Sequence, residues 1–434
     1  MKIFSIIIFI LITPAAYSQD TLLTVEQAIK MAIQNNYGVI ISKNKIEIDR
    51  INNSWGNAGA LPTLSAVANK SIGSNNIKQV LSNGTETNKN GAATNNINAG
   101  VNVNWRVFDG FKMYATKQRL AELERAGELN FTNQVNQTVF DVITGYYNIV
   151  RFKQQLKASE TQLQLYKERV NIADVKFRIG SAAKNDLLQA QVDLNEQLSG
   201  NMSLKNSIAT AKADLNNLMG RSPSVPYSVM DTIILKPLPV LSEIQSKIDL
   251  QNPQILLAKN NVAVLTQTKR EINAQRLPTV TLNGNYNFVK NSSGAGFTLF
   301  NQTYGPSASV GVSVPLFTGG VVKNQLRVSD IQIQNQNIAI EQLRNQLTTT
   351  LVNAVTTYQN ALEIVNLEKQ NLQFSAENLF IASERFRKLN ITSVELRQVQ
   401  LSYIAAENRL FDALYLAKQA EVRIGLLTGE IANL

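Results

Sequence analysis

Neither cysteine nor histidine occurs anywhere in the 434 residues. Their absence excludes disulfides, thiolate nucleophiles, Ser-His-Asp and Cys-His triads, and Cys/His zinc centres. A glycine-rich loop ending in Gly-Lys-Ser/Thr is missing too, which removes phosphate-loop chemistry. Carboxylates and lysines remain, but nothing in their spacing sets a pair apart. No catalytic residue, cofactor or metal is therefore assigned. Long apolar runs are also lacking. The one run covers residues 3–12, behind Lys2 and ahead of Pro14 and Ala16-Tyr17-Ser18. It is too short for a spanning helix, which takes about 20 residues. A basic start, a short apolar stretch and a small-x-small site read as a signal peptide over residues 1–18.

Basic residues outnumber acidic ones by 42 to 32, a net charge of +10. Removing the leader takes away only Lys2 and leaves +9. Such a balance suits nucleic acid or an anionic membrane surface. An exported chain does not meet nucleic acid. Without a second apolar run, the mature chain is either soluble and exported or crosses a membrane by β-strands.

The chain is built twice. Leu61-Pro62-Thr63 recurs as Leu277-Pro278-Thr279, a shift of 216 that Asn36 and Asn252 share. Phe108-Asp109-Gly110 recurs as Phe317-Thr318-Gly319, a shift of 209, which also relates Phe177-Arg178 to Phe386-Arg387 and Gly220 to Gly429. The first repeat takes residues 19–220 and the second 243–434. Between them, 221–242 holds four prolines and cannot be one continuous helix.

Each half reads helix, strand, loop, strand, very long helix, sharp turn, helix. Residues 97–107, 279–289 and 307–316 alternate apolar and polar side chains, and 63–71 do so more weakly. Each is the length of a tilted transmembrane strand. Polar stretches 72–96 and 290–305 read as the connecting loops. Helices are expected near 24–56 and 253–276. Two long helical hairpins follow, over 112–219 with a turn near 180 and over 321–428 with a turn near 390. Proline is absent from 113–179 and from 321–389, where only Gly127 and Gly145 interrupt. About 68 helical residues make a rod of roughly 100 Å, so an elongated molecule is expected.

Four strands cannot close a barrel around a water-filled lumen, and they leave two edges that hydrocarbon does not tolerate. The chain must then join copies of itself around an axis, and three copies supply twelve strands. Two other arrangements stay open: a coiled-coil scaffold or adaptor without a barrel, and a carboxylate enzyme acting on polysaccharide.

A leader, two homologous halves, two strand pairs and two helical hairpins resemble the layout of the TolC-like outer-membrane efflux proteins. The junctions Phe108-Asp109-Gly110 and Phe317-Thr318-Gly319-Gly320 carry the likeness. So does the turn Phe177-Arg178-Ile179-Gly180-Ser181 followed by Asp186-Leu187-Leu188-Gln189-Ala190. The resemblance implies an α+β membrane protein: a trimeric twelve-stranded β-barrel in the outer membrane, continued by an α-helical barrel through the periplasm. It implies a passive exit duct, not an enzyme. The implied partners are two further copies, outer-membrane lipid, a periplasmic adaptor, and an inner-membrane pump or ABC transporter.

The resemblance also implies roles for particular residues. Phe108, Gly110, Phe317 and Gly319 join barrel to helix. The periplasmic gate maps to Asp186, Phe386, Glu395 and Gln398. Adaptor docking maps to the turns: Phe177, Arg178, Ile179, Gly180 and Ser181 on one, Arg387, Leu389, Asn390 and Ile391 on the other. In the family a closed-tip link joins the Asp186 position to a Tyr and an Arg. Here Phe386 and Ile391 stand in those places, and neither can make it. Glu395 is either one member of an acidic ring or a solvated helix residue. The basic residues Lys176, Arg178, Lys184, Arg385, Arg387 and Lys388 either dock a partner or end their helices in water.

Overall fold

The structure is a computed structural model that describes residues 22–237, 241–388 and 390–431. The expected signal peptide and Leu389 lie outside the described residues.

Where one helix was expected over 24–56 there are two, α1 (Val25–Asn35) and α2 (Tyr37–Asn52). Asn36 breaks them. Its backbone is extended, and its Oδ1 accepts from Gly38 N at 2.9 Å and Val39 N at 3.2 Å, capping α2. Then come β1 (Thr63–Val80), β2 (Glu86–Phe108), α3 (Lys112–Arg178) and α4 (Lys184–Leu218). The second half adds α5 (Leu241–Gln251), α6 (Pro253–Ala274), β3 (Thr279–Ser293), β4 (Phe300–Ser313), α7 (Val321–Arg387) and α8 (Ser393–Thr428). Each of α3 and α7 is a single 67-residue helix.

The four strands form one antiparallel sheet in the order β1-β2-β3-β4. The central pairing joins the two halves, with Ala99 opposite Phe288 and Val101 opposite Tyr286. The strands run longer than alternation suggested. β1 continues nine residues past 71, and β2 begins at Glu86, so the expected loop 72–96 shrinks to five residues, 81–85. The loop over 290–305 shrinks likewise, to 294–299. Residues 72–80 and 86–96 are rich in Asn, Ser, Thr and Lys. Ladder bonds are made by the backbone, so pairing persists where no face is apolar. At its other end β4 stops at Ser313, short of the expected 316, where its partner β3 begins at Thr279.

The described residues cluster into two compact units, and neither coincides with a repeat. One takes the chain up to Ile41, Thr132–Asn252 and Asn345 onward; the other takes Ser42–Phe131 and Pro253–Arg344. Both long helices contribute to both units. The first unit has an apolar core of Leu23, α1 (Ala28, Ala32), α3 (Val139, Val142, Tyr146, Val150), the end of α4 (Leu215) with its C-cap Met219, and the joiner (Tyr227, Val229). The buried Tyr146 hydroxyl donates to Leu23 O at 2.8 Å and accepts from Met230 N at 3.1 Å, tying α3 to the joiner. The same joint appears once per half. Asn36 Nδ2 donates to Leu218 O and Asn252 Nδ2 to Leu427 O, both at 2.9 Å. Just beyond, Gly220 (φ 66°) and Gly429 (φ 76°) lie close enough to Asn35 O and Gln251 O to leave little room for a Cβ.

Candidate functional site

The hairpin turns and the helix ends around them hold most of the residues singled out by resemblance. The first turn closes with Gly180 N donating to Phe177 O at 3.0 Å and Ser181 N to Lys176 O at 2.9 Å. Gly180 has φ 74° and no atom near a Cβ, so it is needed for conformation and not for space. The second turn repeats the outer bond, Asn390 N to Arg385 O at 2.9 Å. Phe177 and Ile179 are exposed, as are Arg178, Gly180, Ser181 and Asn390. Among the described residues Arg178 is paired only with Asp174, one turn back.

Other residues in the set pack or cap. Phe386 is 3% exposed, in a cluster with Leu379, Ala382 and Leu396 against which Ile391 also packs. Lys176 Nζ lies 3.8 Å from the Phe386 ring centroid and donates to Phe386 O at 3.3 Å. Burial lowers the Lys176 pKa, and Asp186 opposes that shift. Arg387 bridges helices, with Nη2 2.6 Å from Glu168 on α3 and Nη1 2.6 Å from Glu384. Asp186, in the first turn of α4, accepts from Ser393 Oγ of α8 at 3.3 Å. Glu395 closes a capping box: its carboxylate accepts from Thr392 N at 2.8 Å, and Thr392 Oγ1 accepts from Glu395 N at 3.2 Å. These Thr392 bonds hold its carboxyl below the ordinary range, and Arg385 adds to the effect. Gln398 is exposed.

The sequence reading missed the most buried charge near the tip. Arg169 and Asp193, each 3% exposed, form an ion pair between α3 and α4. Arg169 Nη1 also donates to Gln400 Oε1 of α8 at 3.0 Å, and Gln189 Nε2 donates to Asp193 Oδ1 at 2.8 Å. Arg397 Nε of α8 lies 3.3 Å from the same carboxylate. A signal was there: Arg169 and Asp193 stand twelve residues either side of Ser181, so a turn at 181 sets them side by side. Further along α8, Glu407 accepts from Gln162 Nε2 at 2.9 Å. It borders a cavity of about 950 Å³ between α3, α7 and α8. Burial raises its pKa.

The junction residues lie in the other unit. Asp109 Oδ1 accepts from Met113 N at 3.1 Å and so caps α3. Gly110 has φ 70°, and a Cβ there would sit 2.5 Å from Ala274 O. Gly319 has φ 61° with open space around it, and Phe317 is 88% exposed. Phe108 stacks edge-on with Phe111, ring centroids 5.1 Å apart. Among the described residues no acidic cluster could hold a metal ion, and no helix is long and apolar enough to cross a membrane.

Comparisons with known proteins agree with this architecture. Residues 42–221 and 245–430 match the outer membrane efflux protein family. Over 253 residues the chain is 22% identical to the outer membrane efflux protein BepC of Brucella suis, covering 57% of this chain and 53% of that protein. Over 261 residues it is 25% identical to protein CyaE of Bordetella pertussis, covering 58% and 53%. The chain thus spans about half the length of these curated relatives. Its fold is similar to the CmeC outer membrane channel of Campylobacter jejuni, with a TM-score of 0.80, 16% identity, and 94% of this chain and 86% of that chain covered.

Proposed function

Because this chain belongs to the outer membrane efflux protein family, we propose that it is the outer-membrane exit duct of a tripartite efflux pump or a type I secretion system. One observation carries the reading. Among the described residues β1 pairs only with β2, and β4 only with β3, so an 18-residue and a 14-residue edge are left without a neighbour. In hydrocarbon those edges need partners of their own kind. Two further copies supply them, giving a homotrimer with a twelve-stranded barrel whose helices line a periplasmic tunnel. A scaffold without a barrel gives the sheet no role.

Transport through such a duct is passive. An inner-membrane pump or ABC transporter supplies the energy, and a periplasmic adaptor docks at the hairpin turns. The exposed Phe177, Arg178, Ile179, Gly180, Ser181 and Asn390 are the docking candidates. Asp186, Glu395 and Gln398 are the gate candidates, with Phe386 as the packing beneath them.

The test is extraction and conductance. The full chain should leave the outer membrane only in detergent, migrate as a heat-modifiable trimer, and open ion-conducting pores in planar bilayers. A stable detergent-free monomer would overturn the reading.

A further inference from the structure

At the end of the sheet where β2 passes into α3, exposed aromatic rings collect. Trp55 and Tyr114 stack edge-on at 5.6 Å, Phe111 lies 6.1 Å from Tyr114, and Lys117 sits 6.0 Å over the Trp55 ring. Trp55 is 44% exposed and Phe111 60%. Trp105, near the end of β2, donates its indole N–H to Ala60 O, and the chain has no third tryptophan.

Phe111 is held there against its own preference. With φ 69° it is the only non-glycine residue with positive φ among the described residues. A bulky residue in that region is an outlier, and such strain points to function. The second repeat shows the relaxed solution: 209 positions on stands Gly320, at φ 79°. The fold accepts glycine at this step, yet the first repeat carries an exposed phenylalanine.

Beside it is a cavity of about 700 Å³ lined by Phe111, Tyr114, Leu277 and Leu326, with Lys269 and Arg270 at its border. Lys269 is ion-paired with Asp330. Among the described residues Arg270 bonds the amide oxygens of Gln118 at 3.2 Å and Gln267 at 3.3 Å and pairs with no carboxylate. An apolar slot with an uncompensated guanidinium, at the end of a sheet whose face carries exposed Val101, Val103 and Val107, has the chemistry of a lipid at the membrane–water boundary.

We propose that this cavity seats an anionic phospholipid, its acyl chain against Phe111 and Leu277 and its phosphate at Arg270. The inference rests on placing the sheet in the outer membrane, as proposed above. The two tryptophans separate the two ideas: Trp105 lies on the sheet and Trp55 in the cluster beside the cavity. The full chain would be reconstituted with dibrominated phosphatidylglycerol or phosphatidylcholine as Trp55→Phe and as Trp105→Phe, so that one indole reports each time. Bromine should quench both. Trp55 should prefer phosphatidylglycerol, and Arg270→Gln should lower that preference roughly fivefold. Phe111→Gly should reduce Trp55 quenching while raising the melting temperature, whereas a purely structural Phe111 would leave quenching unchanged. Trp105 quenched with Trp55 unquenched overturns this inference and leaves the membrane placement standing. Neither quenched overturns both. Quenching and lipid preference unaltered by the two cavity variants also overturn it.

Discussion

Arg169 and Asp193 form one network with Arg397, whose Nε lies 3.3 Å from the same carboxylate, so removing Asp193 leaves the buried Arg169 without its counter-charge. Both charges are buried; Gln400 accepts from Arg169 Nη1 and Gln189 donates to Asp193, while Arg169 Nε has no hydrogen-bond partner among the described residues. Asp193→Ala leaves a desolvated guanidinium and should cost about 3–5 kcal/mol, whereas Arg169→Met with Asp193→Leu should recover most of that. Thermal melting of the three proteins checks the order. Glu407 makes the opposite case. Burial raises its pKa above the ordinary 4.5, so its carboxyl favours folding while protonated and loses that contribution as pH rises through the raised value. Glu407→Gln should therefore raise the melting temperature at pH 8 and leave it nearly unchanged at pH 4. Neither residue stood out in the sequence. An Arg and a Glu on long polar helices look solvated, and only the third helix packed against them shows that they are not.

Among the elements, the hairpin turns were the most legible. Gly180 and the recurring Phe-Arg pair mark where each rod doubles back. Strand ends were the least legible. Alternation reports which residues meet an apolar phase, and β1 and β2 continue into stretches with no apolar face. The junction glycines were singled out together, yet their surroundings differ. Gly110 faces Ala274 O and Leu277 Cβ, while Gly319 faces open space. Gly319→Ala should then cost only the left-handed backbone term, about 1–2 kcal/mol. Gly110→Ala adds a backbone clash and should abolish assembly at the same temperature. Trimer yield on unheated gels reads both.

In the assembled molecule, the two readings of Glu395 separate. Glutamine also fits the third position of a capping box, so Glu395→Gln keeps the Thr392 bonds and loses only charge. If three copies bring this residue around one axis, Glu395→Gln should lower cation preference in planar bilayers as much as Glu395→Ala does. If the cap is its whole role, selectivity stays and only Glu395→Ala melts lower. The pairing of β2 with β3 was not readable at this scale. Each repeat reveals its own hairpin, but nothing in either half names the strand of the other half as its neighbour.

The clasp of Asn36 on Leu218 O, and again of Asn252 on Leu427 O, with Gly220 and Gly429 close by, fastens each hairpin's return helix to the helices that lead its own half. The joiner between the halves is exposed near Ser222 and Ser224, while packing and the β2–β3 pairing hold the halves to each other. A protease site inserted there should nick the backbone without releasing either fragment. Because each return helix is clasped at the end away from its turn, turns as unequal as those at Gly180 and Asn390 serve the same joint.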